Sequence, residues 1–413
     1  MTIGLVLLLV LAILLACRVD VNVFSMNLLY RNRLVRCYLG ASRLAGARHP
    51  NPFTGFDPND DVFLTDLSEA SGYAGPYPIL CAALDVTHGE RLAWQERKAE
   101  SFIFTPGYCG YEFPEQGAMS GTPPATYRKT SEYAYPVSKS NPMHEEKGGM
   151  LLGTAISISG AAASPNMGYH TSPPLAFLMT DFNVRLGWWL PNPRFTDQEL
   201  KKPEGGPPCS LAYLFKELFA ATTDRSKYVY LSDGGHFENL AIYELVRRRC
   251  KYIIACDADA DQGMKFEDLG NAIRKCRSDF GVEITIDPTP MEIKTPAKPG
   301  EHGFAKAHCV YGEIRYPKTS TEEESKGEIL YLKPTITGDV PRDVLAYRDA
   351  HSEFPDQSTA DQWFDESQFE SYRRLGLYSL EWLTETQMGG KTWKGNEVLD
   401  LFKAAHKKVP SKN

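Results

Sequence analysis

Tyr228-Val-Tyr-Leu-Ser-Asp-Gly-Gly-His-Phe-Glu-Asn-Leu240 is the stretch that decides how this chain is read. Tyr228 to Ser232 is a β-prone run, Asp233 closes it, and Gly234 and Gly235 turn the chain. An amphipathic helix is expected from Phe237 to Arg249, with Phe237, Leu240, Ala241 and Leu245 on one face. Two glycines admit backbone angles that a Cβ forbids, so the turn can be sharp and Asp233 left uncrowded. The free N–H groups and positive end of the following helix would keep the Asp233 carboxylate ionised near neutral pH. A carboxylate placed there can act on a group lying above the sheet rim. The structural alternative is an N-cap aspartate in an ordinary strand–turn–helix connection.

Downstream, Lys251 to Cys256 reads as a buried strand, Phe266 to Phe280 as a helix and Val282 to Ile286 as another strand. Strand, helix, strand, helix, strand predicts a parallel sheet with helices on its faces, hence an α/β fold. Asp257-Ala-Asp259-Ala-Asp261 follows the second strand, where carboxylates can hold Mg²⁺ for phosphoryl chemistry. The spacing resembles that of haloacid-dehalogenase-type phosphatases, but no partnering lysine or acidic motif is read downstream. The alternative is loop acids that hold helix N-termini. Beyond residue 290, Ala307 to Tyr316 and Glu328 to Lys333 alternate like antiparallel strands. Helical stretches follow near 360–364 and 368–375.

Upstream, Met150 to Ser159 is small and apolar and leads into Gly160-Ala-Ala-Ala163. Such residues let a backbone approach the sheet closely, or pack a helix tightly. Trp188 and Trp189 fit core burial, a membrane interface or an acyl pocket. Pro76 to Leu84 and Arg97 to Tyr108 read as short strand-bearing segments within loops, and residues 110–149 as the least ordered part.

Thr2 to Cys17 carries no charged side chain, and as a helix the first 17 residues span about 25 Å against a hydrocarbon layer of ~30 Å. A transmembrane helix is expected; a cleaved signal would need a basic start and an Ala-x-Ala site. Arg18, Arg31, Arg33, Arg36, Arg43 and Arg48 follow, which by the positive-inside rule puts the bulk of the chain in the cytoplasm, at the inner membrane. Residues 20–48 lie along anionic headgroups or form a plain surface helix. These readings divide the chain into a transmembrane helix (1–18), a basic amphipathic juxtamembrane segment (19–48) and a loop-rich insertion (49–150). An α/β region bearing Asp233 (151–290), a C-terminal lobe (291–390) and a basic tail (391–413) complete it.

The chain has 413 residues, 42% of them hydrophobic, enough for one large or two modest domains. A net charge of −7 gives no electrostatic case for nucleic acid. Nine scattered cysteines without a Cys-x-x-Cys pair fit reduced thiols, and no metal or cofactor is assigned.

Asp233-Gly234-Gly235 with Asn239 is similar to the aspartate motif of patatin-like phospholipases and the related cytosolic phospholipase family. Ala155-Ile-Ser-Ile-Ser-Gly-Ala-Ala-Ala-Ser-Pro165 resembles the small-residue segment that precedes that motif. Asn51-Pro-Phe-Thr-Gly-Phe56, Trp94-Gln-Glu-Arg-Lys-Ala-Glu-Ser101 and Ser358-Thr-Ala-Asp-Gln-Trp-Phe364 extend the resemblance over residues 19–380. It is to the C-terminal part of large bacterial membrane-attached patatin-like proteins. The resemblance implies a parallel-sheet core and a Ser–Asp dyad, without histidine, that cleaves fatty acyl esters of membrane lipids. Asp233 would be its base and Gly234 and Gly235 its supporting turn. The family's glycine-rich oxyanion loop and Gly-x-Ser-x-Gly elbow are not found; Ser157-Ile-Ser159-Gly-Ala161 and Ala118-Met-Ser120-Gly-Thr122 come nearest. The serine is therefore expected from a missing N-terminal half. The alternative is an inactive, membrane-tethered lipid-binding or scaffold protein of the same fold.

Overall fold

In the computed structural model the strand that ends at Asp233 lies inside an antiparallel sheet. The structure describes residues 4, 10–11, 14–15, 18–88, 92–112, 126–134, 148–168, 171–196, 200, 206–261, 263–293, 303–358, 361, 363–388, 400–403 and 405. The chain divides into two units, Met1–Asn239 and Leu240–Asn413.

In the first unit the strands are β1 (Leu80–Asp85), β2 (Ala99–Phe104), β3 (Tyr108–Tyr111), β4 (Tyr127–Lys129), β5 (Trp188–Pro191) and β6 (Tyr228–Asp233). They form one sheet in the order β4-β3-β2-β1-β6-β5, with every pairing antiparallel. Period-two alternation on β6 sends Val229 and Leu231 to one face and Tyr228 and Tyr230 to the other. The first pair joins Leu84, Phe102, Phe104 and Trp188 in the main core; the second packs with Trp189 and Val21. Core burial is thus the outcome for both tryptophans. The loop-rich insertion expected at 49–150 supplies four of the six strands, β4 among them from the part read as least ordered.

The unit's helices are α1 (Asn27–Leu34), α2 (Leu92–Arg97), α3 (Leu152–Ser159), α4 (Pro173–Asp181) and α5 (Ser210–Leu218). Small residues bring α3 close to α1: a Cβ on Gly153 would lie 2.3 Å from Val35, and one on Gly160 2.6 Å from the Tyr30 hydroxyl. Asp61 accepts the Gly153 N–H at the start of α3 and pairs with Arg31. Arg43 and Arg48 pair with Asp57 and Asp60. Three of the arginines that marked a juxtamembrane segment are therefore held by aspartates of the fold itself.

In the second unit β7 (Tyr252–Cys256), β8 (Glu283–Ile286), β9 (Cys309–Tyr316) and β10 (Ser325–Leu332) form a sheet in the order β7-β10-β9-β8. Its helices are α6 (Ile242–Arg247), α7 (Glu267–Phe280), α8 (Arg342–Ala350) and α9 (Glu366–Met388). On α7, Leu269, Ala272 and Cys276 face inward, and Gly281 at φ +64° ends the helix in the left-handed region. The expected β9–β10 hairpin is present.

Two expectations are corrected. The parallel sheet predicted over 228–286 does not form. The strand at 228–233 belongs to one sheet, while β7 and β8 occupy opposite edges of the other, with the long β9–β10 hairpin between them. β7 and β10 make the one parallel pairing among these strands. The fold is mixed α and β, with an antiparallel sheet and a mixed one. The second correction concerns the membrane: no helix among the described residues is long and apolar enough to cross a bilayer. The longest, α9, carries charged residues throughout its 23 positions, against the ~20 apolar ones a crossing needs. Most of residues 1–18 lie outside the described residues, as do most of 113–147 and of the 391–413 tail.

Candidate active site

β6 delivers Asp233 to the end of the sheet opposite Ala82 of β1. The chain then makes a single 3-10 turn, Gly234–His236, and α6 does not begin until Ile242. Asp233 caps that turn: its Oδ1 accepts the Gly235 N–H at 2.7 Å. The helix dipole expected behind the carboxylate is replaced by this one hydrogen bond. Burial outweighs it and pushes the Asp233 carboxyl up to about 6. The group is still mostly ionised at neutral pH, and it can take up a proton at little cost.

The glycines matter for a reason the sequence did not suggest. Neither has a positive φ. Both are required by close approach. A Cβ on Gly234 would lie 2.7 Å from the Cys81 carbonyl oxygen of β1, and one on Gly235 would lie 2.8 Å from Asn239 Oδ1 and 3.1 Å from Asp233 Oδ1. The Asn239 amide therefore sits over the turn beside the Asp233 carboxylate.

Two hydroxyls border this rim. Tyr30 of α1 is raised above its ordinary value by burial and then by the Asp233 charge, which places the phenol within the field of that carboxylate. Ser159 donates to the Cys81 carbonyl oxygen at 2.6 Å, the same oxygen that Gly234 abuts. Ser159 ends α3, so its hydroxyl sits at a helix C-terminus without the N–H groups that a nucleophile elbow provides. Ser120 lies outside the described residues.

A buried layer supports the rim. Ser232 Oγ lies 2.8 Å from His236 Nδ1. Asp85 Oδ1 accepts the Gly168 N–H at 2.7 Å, and burial raises the Asp85 carboxyl well above its ordinary value, with Ser232 and Gly168 opposing. Tyr30, Asp85 and His236 were not singled out in the sequence. Tyr30 and Asp85 sit on other elements, and no local pattern links them to Asp233; His236 lies in the turn that Asp233 caps, within the stretch quoted at the outset, and was given no role there.

The rival aspartate run lies in the second unit. Asp257 follows β7; its Oδ1 accepts the Asp259 N–H at 2.9 Å and the Lys333 ammonium at 3.0 Å, and its Oδ2 accepts the Tyr331 hydroxyl. The side chains of Lys333 and Asp257 are 1% and 2% exposed. The lysine not found by reading along the chain is thus present, brought in by the parallel β7–β10 pairing, and it neutralises Asp257 in place. Asp261 accepts the N–H groups of Lys265 and Phe266 ahead of α7, a loop-acid role. Burial and a hydrogen bond with Asp268 push Asp259 up to about 6. Among the described residues no three His, Cys, Asp or Glu side chains group as a metal site.

No protein-family model and no curated protein sequence matches the chain. Among solved structures, the human GIVD cytosolic phospholipase A2 is similar at 12% identity and a TM-score of 0.42, over 92% of this chain and 52% of that one. The chain thus spans about half the length of that protein. A likeness of this size decides neither fold nor chemistry, and the functional reading rests on the residues above.

Proposed function

We propose that this chain carries the base of a patatin-like acyl-ester hydrolase, a phospholipase or lipase with a Ser–Asp dyad. Asp233 is the base, the serine comes from another segment or a second chain, and the substrate is a membrane lipid. One observation supports this above the others: Asp233 is a strand-end carboxylate with no ion-pair partner among the described residues, set by burial at a pKa of about 6. A general base works best when its pKa lies near the working pH. The Gly235 N–H fixes Oδ1, which leaves Oδ2 to accept a proton.

In the proposed reaction Asp233 takes the serine proton as the serine oxygen bonds to the ester carbonyl carbon. The tetrahedral oxyanion collapses, the bond to the leaving alcohol breaks, and that alcohol takes the proton back. Asp233 then takes a proton from water as the water oxygen bonds to the acyl carbon; the bond to the serine oxygen breaks, that oxygen takes the proton, and the fatty acid is released. In an assembly that includes a Gly-x-Ser-x-Gly segment, Asp233→Asn is expected to lower ester hydrolysis by about two to four orders of magnitude. Unchanged hydrolysis would refute the assignment. The wild-type rate should rise with pH through about 6, as Asp233 loses its proton.

The position of Ser159 favours a second reading, an inactive lipid-binding protein of the same fold. Its hydroxyl is spent on the Cys81 carbonyl, and Ser232 is fully buried. Fluorophosphonate labelling, with and without an added Gly-x-Ser-x-Gly segment, separates the two. Label on the chain alone that disappears in Ser159→Ala would make Ser159 the nucleophile; label that needs the added segment supports the dyad, and no label in either case supports the inactive reading.

A further inference from the structure

Helix α4 has the sequence Pro-Pro-Leu-Ala-Phe-Leu-Met-Thr-Asp and carries no charge before Asp181. Only Ala176 of it is buried. Phe177 and Leu178 are exposed, and Phe182 just beyond the helix is 71% exposed. Solvent-facing helices ordinarily place charged side chains at such positions.

Helix α5 packs against α4 and repeats the anomaly. Leu211, Phe215 and Phe219 recur at i, i+4 and i+8 and all face outward; the Phe215 and Phe219 rings are stacked with centroids 6.2 Å apart, and Phe219 is 63% exposed. The segment 19–26 adds a third apolar strip, with Phe24 56% exposed.

One buried ion pair ties α5 to the segment 19–26, and α4 joins them through its packing on α5. Arg185, fully buried, binds Glu217 of α5 at 2.9 Å and donates to the carbonyl oxygens of Val21 and Phe24. The Ser210 hydroxyl at the start of α5 bonds the Val19 carbonyl, and the Met26 N–H bonds the Arg185 carbonyl. The three elements that carry these exposed apolar side chains are therefore held on one fixed frame. Patches of this kind on a soluble fold mark a place of contact.

Two observations select the partner. In the sequence the charge-free run Thr2–Cys17 directly precedes Val19, whose carbonyl the first residue of α5 holds. Attraction by charge contributes little: Arg31, Arg43 and Arg48 are paired with aspartates, and the chain carries −7. A protein partner of similar area would meet a polar rim able to hydrogen-bond. Hydrocarbon asks only for burial of apolar side chains.

We infer that the face formed by α4, α5 and segment 19–26 docks into the interface of a lipid bilayer, driven by insertion of Phe24, Phe177, Phe182, Phe215 and Phe219. The inference stands apart from the catalytic reading, because vesicle binding needs no serine. The test is co-sedimentation of the full chain with phosphatidylcholine vesicles, at low and high salt, for wild type and Phe177→Glu/Phe215→Glu. The wild type is expected to bind at both salt concentrations, and the variant to bind at least about tenfold more weakly.

Both replaced side chains are exposed, so an unchanged circular dichroism melt confirms that the variant folds. Should it not fold, hydrogen exchange of the wild type decides: vesicles should slow exchange in 173–182 and 210–219. Equal binding by the variant would assign attachment to the N-terminal run alone and overturn the inference. So would loss of binding at high salt, absence of vesicle protection in those helices, or a wild type that dimerises through the patch and ignores vesicles.

Discussion

Asp233 and Asp257 occupy the same local setting in the two units. Asp233 ends its strand and Asp257 directly follows its own, and each accepts the N–H of the residue two positions on, at 2.7 Å and 2.9 Å. What surrounds them differs. Asp257 is saturated by Lys333 and Tyr331, so its charge is matched and its geometry locked. Asp233 has the Gly235 N–H, a neighbouring phenol and, among the described residues, no ammonium, and burial raises its pKa. A strand-end aspartate becomes a candidate base when the fold withholds its counter-ion, and a structural element when the fold supplies one.

The sharpest way to break this contrast is Lys333→Met. It leaves a carboxylate buried without its partner and is expected to destabilise the fold by about 3–5 kcal/mol, read from urea unfolding. A loss near zero would mean that Asp257 does not depend on Lys333, and the two aspartates would cease to differ.

Asp233→Asn should act in the opposite direction. A carboxyl whose folded pKa of about 6 exceeds its ordinary 3.8 binds the extra proton in the folded state. Folding stability then declines as pH rises from about 4 to about 6 and is flat above. The asparagine removes that decline and keeps the bond from Gly235, so above pH 6 it is expected to stabilise by about 2–3 kcal/mol, with no gain near pH 4. A loss of stability at pH 8 would place a hidden cation beside Asp233.

The turn gives the smallest contrast. Gly234→Ala drives a methyl into the Cys81 carbonyl, which is backbone within a sheet, at an expected cost of about 1–3 kcal/mol. Gly235→Ala meets the Asn239 side chain, which can rotate away, so it should cost less. Equal losses in thermal melts would show that the β1 approach is not what demands glycine.

The β6 turn was legible because strand alternation, aspartate and paired glycines all lie within eight residues. The helix at 267–280 was legible for the same reason. Pairing was not. β1 lies beside β6 although some 145 residues separate them, and the sequence carries no local mark of it. Neighbouring strands in sequence suggested a parallel sheet, but a hairpin from beyond residue 300 took the central places. Run-on reading likewise saw the arginines at 31, 43 and 48 without their aspartates, and Asp257 without Lys333. The chemical role of Asp233 was suggested by its motif; its burial, its pKa and the reason for its glycines came only from three dimensions.

The guanidinium of Arg185 grips two peptide carbonyls of the segment 19–26, while Asn22 bonds both ways to the Trp189 backbone and Asn27 to Leu186. The leash has no slack. Tension applied at Val21 reaches the edge of the first sheet directly, with nothing to absorb it, and a protease offered the native chain should spare the bonds between residues 21 and 27.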